Sequence, residues 1–160
     1  MRALVASTVA IVAGAAVASA APQTVRSSAG NLTVETVASG LANPWALAFL
    51  PDGRMLVTER PGRMRIVGKD GKLSPALAGV PAVFAHGQGG LHDVALDRGY
   101  GQNSTIYFCF AEPMSGGGRT SLARARLIEE GAPRLDGVQV IFRQDGPPSG
   151  GNHFGCRIAQ

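Results

Sequence analysis

Two short glycine-rich segments hold the side chains best suited to chemistry, His86-Gly87-Gln88-Gly89-Gly90 and Pro148-Ser149-Gly150-Gly151-Asn152-His153. A histidine can take or give a proton near neutral pH, and a glutamine offers a donor and an acceptor without charge. The surrounding glycines let the backbone approach a bound molecule closely. His86, His92 and His153 could also be read as a metal triad, but the 86/92 spacing fits no common zinc pattern and no acidic cluster accompanies it. No metal ligand is assigned. Cys109 and Cys156 lack CxxC spacing, which leaves a redox motif or zinc knuckle little support.

The segments that must position Gln88 and His153 read as short strands separated by turn chemistry. In the first group, Trp45 to Phe49 is closed by Pro51-Asp52-Gly53, then come Met55 to Thr58, Met64 to Val67 closed by Lys69-Asp70-Gly71, and Val80 to Phe84. Leu32, Val34 and Val37 mark a short segment before it, after a polar and poorly patterned stretch from Pro22 to Asn31. The second group runs through Val94 to Leu96, Thr105 to Phe110, Ser121 to Leu127 and Val138 to Phe142. No window after the N-terminal run carries a 3.6-residue apolar stripe over three turns.

Two groups of about 40–55 residues with this strand count suggest blades of a β-propeller, and a third unit opens at Phe154 to Ala159. Equivalent connections in a propeller lie on one face, and the strands that follow them line the central channel. Gln88 and His153 are therefore expected to meet around one ligand at the channel mouth.

Composition agrees with a folded, all-β protein. Charged residues are 16% and hydrophobic residues 45% of the 160, which excludes a disordered charged tail. Glycine (22) and proline (10) together make one residue in five, against a long-helix protein. Met1-Arg2, the apolar run Ala3 to Val17 and the small residues Ala18-Ser19-Ala20 read as a signal peptide over residues 1–20. A transmembrane anchor is the weaker alternative, since the run is alanine-rich and lacks a stop-transfer charge cluster. Residues 21–36 form an N-terminal segment and 37–160 the propeller domain. The expected location is the periplasm or outside the cell. There Cys109 and Cys156 could pair, with two buried free thiols an equal alternative. Basic residues are scattered singly with no aromatic interleaving, so neither nucleic acid nor stable membrane insertion is expected.

Gly40-Leu41-Ala42-Asn43-Pro44-Trp45, Leu50-Pro51-Asp52-Gly53, Thr58-Glu59-Arg60, Gly87-Gln88-Gly89-Gly90-Leu91 and Gly151-Asn152-His153-Phe154-Gly155 follow in this order. Together they resemble the glucose/sorbosone dehydrogenase family, soluble periplasmic aldose sugar dehydrogenases that use pyrroloquinoline quinone (PQQ) on a six-bladed β-propeller. The resemblance runs from about Val37 to Gln160. It implies that His153 is the general base, taking the proton of an aldose's anomeric hydroxyl as hydride passes from that carbon to the quinone and the lactone forms. It implies Gln88 and His153 beside the cofactor, calcium bound largely by residues beyond this chain, and an electron acceptor the sequence does not identify. Trp45 is expected in the core, Asp93 as a structural acceptor, and Arg157 paired with a neighbouring strand.

Six blades need roughly 300 residues or more. The chain is accordingly expected to be the N-terminal third of such an enzyme, with the first two blades and the start of a third, inactive alone and with a blade edge left unpaired. The alternative function is a non-catalytic secreted propeller that binds carbohydrate or protein through its channel face. A small secreted β-sandwich, complete at this length, is a third reading, and the strand signal running into Ala159-Gln160 opposes it.

Overall fold

The computed structural model describes residues 21–160, and the signal-peptide expectation for residues 1–20 lies outside the described residues. Among the described residues no helix is long and apolar enough to cross a membrane. They divide into two compact units, one ending at Thr36 and the other spanning Val37–Gln160.

The first unit is an antiparallel hairpin of β1 (Gln23–Ser27) and β2 (Gly30–Val34), paired from Gln23↔Val34 to Ser27↔Gly30. The polar patterning of Pro22 to Asn31 predicts no strand there, and the hairpin is a difference. What makes it is the turn. Ser27 Oγ donates to the Gly30 carbonyl at 2.7 Å and accepts the Ala29 N–H at 3.2 Å, the local closure that serine offers at turns.

The second unit holds two antiparallel sheets. One has three strands in sequence order, β3 (Pro44–Phe49), β4 (Met55–Glu59) and β5 (Arg63–Val67). The other has four, β6 (Leu91–Leu96), β7 (Thr105–Met114), β8 (Gly117–Ile128) and β9 (Arg134–Arg143), with a four-residue helix α1 (Tyr100–Asn103) before β7. The first strands of the two sheets, β3 and β6, pack side by side. The sheets are neighbouring blades of a β-propeller, as the repeat predicts.

Period-two patterning accounts for the core. Along β8 the buried positions Ser121, Ala123, Ala125 and Leu127 alternate with partly or fully exposed ones that include Arg124 and Arg126. Ile106, Phe108 and Phe110 of β7 present one fully buried face, which meets Leu56, Met64 and Ile66 of the first blade in a single apolar cluster. Burial of this kind contributes about 1.5–3 kcal/mol per large side chain. The turns share one device. Asp52, Asp70 and Asp97 each accept, through Oδ1, the backbone N–H two residues on, at 3.0, 3.1 and 2.8 Å.

Two strand expectations are corrected. Val80 to Phe84 is extended chain outside any sheet, because Pro81 lacks a backbone donor. The place beside β5 is taken instead by residues 73–77, where the Ser74 and Leu77 N–H groups donate to Ile66 and Met64, both at 2.8 Å. Phe154 to Ala159 is likewise not a strand. It runs beside β6, held by side chains, with Ile158 N–H on Asp93 Oδ2 at 2.6 Å and Gln160 Nε2 on the Leu96 carbonyl at 2.8 Å.

Candidate functional site

The two glycine-rich loops meet. The Gln88 N–H donates to the Gly151 carbonyl at 2.7 Å, and the His153 N–H donates to Gln88 Oε1 at 2.8 Å. Gly87 lies at the contact with φ of +57°, and a Cβ there would run into the Gly151 carbonyl oxygen. Only glycine permits that approach without strain. His153 itself has φ of +64°, in the left-handed region that non-glycine residues seldom occupy. Such conformations persist where neighbouring structure holds them. The loop in front of His153 is tied as well, since Ser149 Oγ donates to the Asn152 carbonyl.

The Gln88 loop is fastened on its other sides by side chains from both blades. Arg60, at the end of β4, donates from Nη1 to the Gly87 carbonyl at 2.8 Å and to the Gly89 carbonyl at 3.3 Å. The Phe84 N–H closes on the Ala111 carbonyl, and the Gly89 N–H on the His86 carbonyl, both at 2.8 Å. His92 Nε2 lies 3.2 Å from the Gln88 carbonyl. A carbonyl only accepts, so Nε2 carries the proton. The other ring nitrogen, Nδ1, is buried without a partner among the described residues. Burial pushes this imidazole below the ordinary histidine range, more than the Gln88 carbonyl pulls it up, and the Arg60 charge adds to the downward push. His92 is accordingly a neutral, fixed donor.

Gln88 Oε1 is committed to the His153 amide, so the side-chain orientation is set. Its Nε2 group has no partner among the described residues and offers two donors to solvent. Beside it, Arg60 bonds only carbonyls and forms no ion pair among the described residues. Gln88, Asn152 and His153 are all exposed. The arrangement is an accessible, donor-rich surface with two exposed imidazoles, His86 and His153, suited to a ligand rich in carbonyl or carboxylate oxygen and to proton transfer at its edge.

The other residues considered from sequence fall elsewhere. Trp45 was expected in the core but is 46% exposed, with its ring 4.6 Å from that of His92. The reason is that β3 is an edge strand whose outward side chains, including Leu47 and Phe49, are not covered by described residues. Asp93 is an acceptor, as expected, and Arg157 Nη1 lies 3.7 Å from its Oδ1. Cys109 and Cys156 form a disulfide with Cα atoms 6.3 Å apart, tying β7 to the segment after His153. Sequence reasoning missed Arg60 as a loop-holding residue, although it lies in one of the quoted motifs. A recess lined by Thr105, Arg124, Arg126, Asp136 and Gln139 lies towards the opposite end of β7 and shares no residue with the Gln88–His153 cluster.

Comparison with known proteins follows the same path. The model of the Glucose / Sorbosone dehydrogenase family matches residues 41–160. The aldose sugar dehydrogenase YliI of Escherichia coli (strain K12) is 40% identical over 141 residues, covering 87% of this chain and 36% of that protein. The crystal structure of the soluble aldose sugar dehydrogenase from Escherichia coli in the apo-form superposes with a TM-score of 0.72 at 41% identity, over 77% of this chain and 36% of that one. The PQQ-bound form of aldose sugar dehydrogenase from Streptomyces coelicolor gives 0.65 at 32% identity, over 76% and 36%. The chain thus spans about a third of the length of these relatives.

Proposed function

The chain belongs to the glucose/sorbosone dehydrogenase family, and from that premise we propose that its two joined loops are part of a site that oxidises an aldose at the anomeric carbon to the lactone with PQQ. The residues present fit such a cofactor. PQQ is an ortho-quinone bearing carboxylates, and it needs donors and positive charge. Gln88 Nε2 supplies unpartnered donors, and the Arg60 guanidinium bonds only carbonyls. Calcium is different. Among the described residues no group of three or more His, Cys, Asp or Glu side chains could hold a metal ion, so no step is derived through one.

When bound, the quinone supplies a two-electron acceptor for the hydride that leaves the anomeric carbon. The chain's own residues do the rest. His153 holds its exposed imidazole at the channel mouth and takes the proton of the anomeric hydroxyl. Gln88 donates from Nε2 to a quinone or sugar oxygen while its Oε1 holds the His153 backbone. His92 fixes the Gln88 carbonyl and Arg60 the Gly87 and Gly89 carbonyls on either side, so that little reorganisation remains when the ligand arrives. The periplasmic or secreted location belongs to the same proposal, as does the boundary between a segment at 21–36 and the propeller domain at 37–160.

The observation that supports this reading most is the bond between the His153 amide and the Gln88 side chain, made across 65 residues. The test is a fluorescence titration of the chain with PQQ, paired with dye-linked oxidation of glucose. His153→Gln is expected to leave PQQ affinity within about threefold, since only one edge contact changes, and, made at the matching position of a full-length family member, to remove its sugar oxidation. A full-length member that binds PQQ and oxidises sugar equally well with that substitution overturns the reading. Saturable binding of sugar without PQQ would favour the carbohydrate-binding propeller.

A further inference from the structure

At the start of β6 the ladder with β7 breaks register between Leu91 and Val94, so His92 and Asp93 form a β-bulge. A bulge turns side chains out of the regular alternation and is often found beside sites where a side chain must be aimed. Here the two consecutive residues aim in different directions. His92, fully buried, reaches back to the Gln88 carbonyl at 3.2 Å. Asp93, only 5% exposed, reaches across to the Ile158 amide at 2.6 Å, five residues after His153. The carbonyl that the bulge frees at His92 is not left open, because Thr58 Oγ1 of β4 donates to it at 2.7 Å. The bulge is therefore locked to the first blade while it holds a loop on each side.

We propose that this bulge is the positioning element of the site, with His92 setting the Gln88 backbone and Asp93 setting the segment that begins at His153. The segment from His153 to Gln160 has no strand ladder of its own among the described residues, so its placement depends on few ties. Three reach it from side chains of β6 or the loop before it, or from its own end: Gln88 to the His153 amide, Asp93 to the Ile158 amide, and Gln160 to Leu96. The Cys109–Cys156 bond adds a covalent tie to β7. Asp93 is the one carboxylate among them, and Arg157 is the charged group that faces it. This inference deepens the proposed function and rests on the reading that Gln88 and His153 share one site.

The experiment is amide hydrogen exchange and histidine side-chain NMR on the full chain, comparing wild type with Asp93→Ala, Asp93→Asn and His92→Phe. With Asp93→Ala, exchange at Ile158 and His153 is expected to accelerate about tenfold or more, while Phe108 and Phe110 in the core of β7 stay unchanged. The His153 ring resonances should shift, a signature that a general loss of stability does not give. Asp93→Asn keeps one acceptor oxygen and should hold His153 within about twofold of wild type. His92→Phe should accelerate Gln88 and leave Ile158 alone. An unmoved His153 amide and ring in Asp93→Ala overturns the proposal. Should that variant fail to fold, an unmoved Gln88 amide in His92→Phe overturns it equally. These outcomes are separable from the functional reading, because a full-length member that still oxidises sugar with the substitution matching His153→Gln defeats the reading and leaves the exchange pattern intact.

Discussion

The His153 N–H donates to Gln88 Oε1 at 2.8 Å, and this bond decides which half of the Gln88 amide faces the solvent. The oxygen is consumed by the protein and the NH2 group is presented. Gln88→Glu should keep the backbone bond, remove both donors and turn a negative charge towards an anionic ligand. PQQ affinity is expected to fall about tenfold or more, with the melting temperature shifted by no more than about 2 °C. Fluorescence titration beside a thermal melt measures both. Equal affinity in the variant would remove Gln88 from the cofactor contacts.

Gly87 lies where the two loops touch, and a side chain there would press on the Gly151 carbonyl in a conformation that L-residues avoid. Gly87→Ala is expected to cost about 1–3 kcal/mol and to part the loops. Chemical denaturation should show the loss. Hydrogen exchange at Gln88, whose N–H would lose its Gly151 partner, should rise with it.

One buried carboxylate, Glu59, and one partly buried, Glu112, give the fold an acid limit. Glu59 is fully buried, takes the Ala42 amide at 2.5 Å and is gripped by Arg63 at 2.8 Å and Arg65 at 3.0 Å. Burial alone would raise its carboxyl, and the Ala42 amide with the Arg63 and Arg65 guanidinium groups more than reverses that, leaving it below the ordinary glutamate range. Glu112 shows the same balance, with burial outweighed by Arg143, Ser121 and Arg119, and is lowered to about 2. A carboxyl lowered in the folded state stabilises fully above its unfolded value and loses that contribution as pH falls through the folded one. Melting temperature should therefore fall between about pH 4.5 and 2, and Glu112→Gln should flatten that part of the curve. An unchanged slope in the variant would deny Glu112 its share.

The Cys109–Cys156 bond closes 47 residues of chain. Reduction by a dithiol, or Cys156→Ser, should lower stability by about 2–4 kcal/mol. Denaturation with and without reductant gives the difference. Protection of the β7 amides should survive better than protection of Ile158.

Much of this was legible from residue types. Strand positions in both blades followed from period-two patterning and from Pro-Asp-Gly or Lys-Asp-Gly turns, because those residues act locally. The meeting of Gln88 with His153 followed from the repeat, because equivalent loops fall on one face. Three features were not legible. The hairpin at Gln23–Val34 is closed by a serine turn with little apolar patterning. The position beside β5 went to residues 73–77 through backbone bonds, which side-chain pattern does not report. The exposure of Trp45 depends on which strand stands at the sheet edge, a matter of topology that a local window cannot see.

Gln88 with His153, and Asp93 with Ile158, are separated by the same 65 positions. The two stretches therefore run alongside each other in step, like equal rungs on a ladder. Lengthening or shortening the chain between Val94 and Asn152, at the hairpin ends of β7, β8 and β9, changes both intervals together and leaves their match intact. A single residue added between His153 and Ile158 would spoil it. The tip of the β8–β9 turn at Gly131 is thus open to insertions and tags, whereas the β7–β8 turn is bonded through Gly118 to Ser149 and the five-residue step after the imidazole tolerates none.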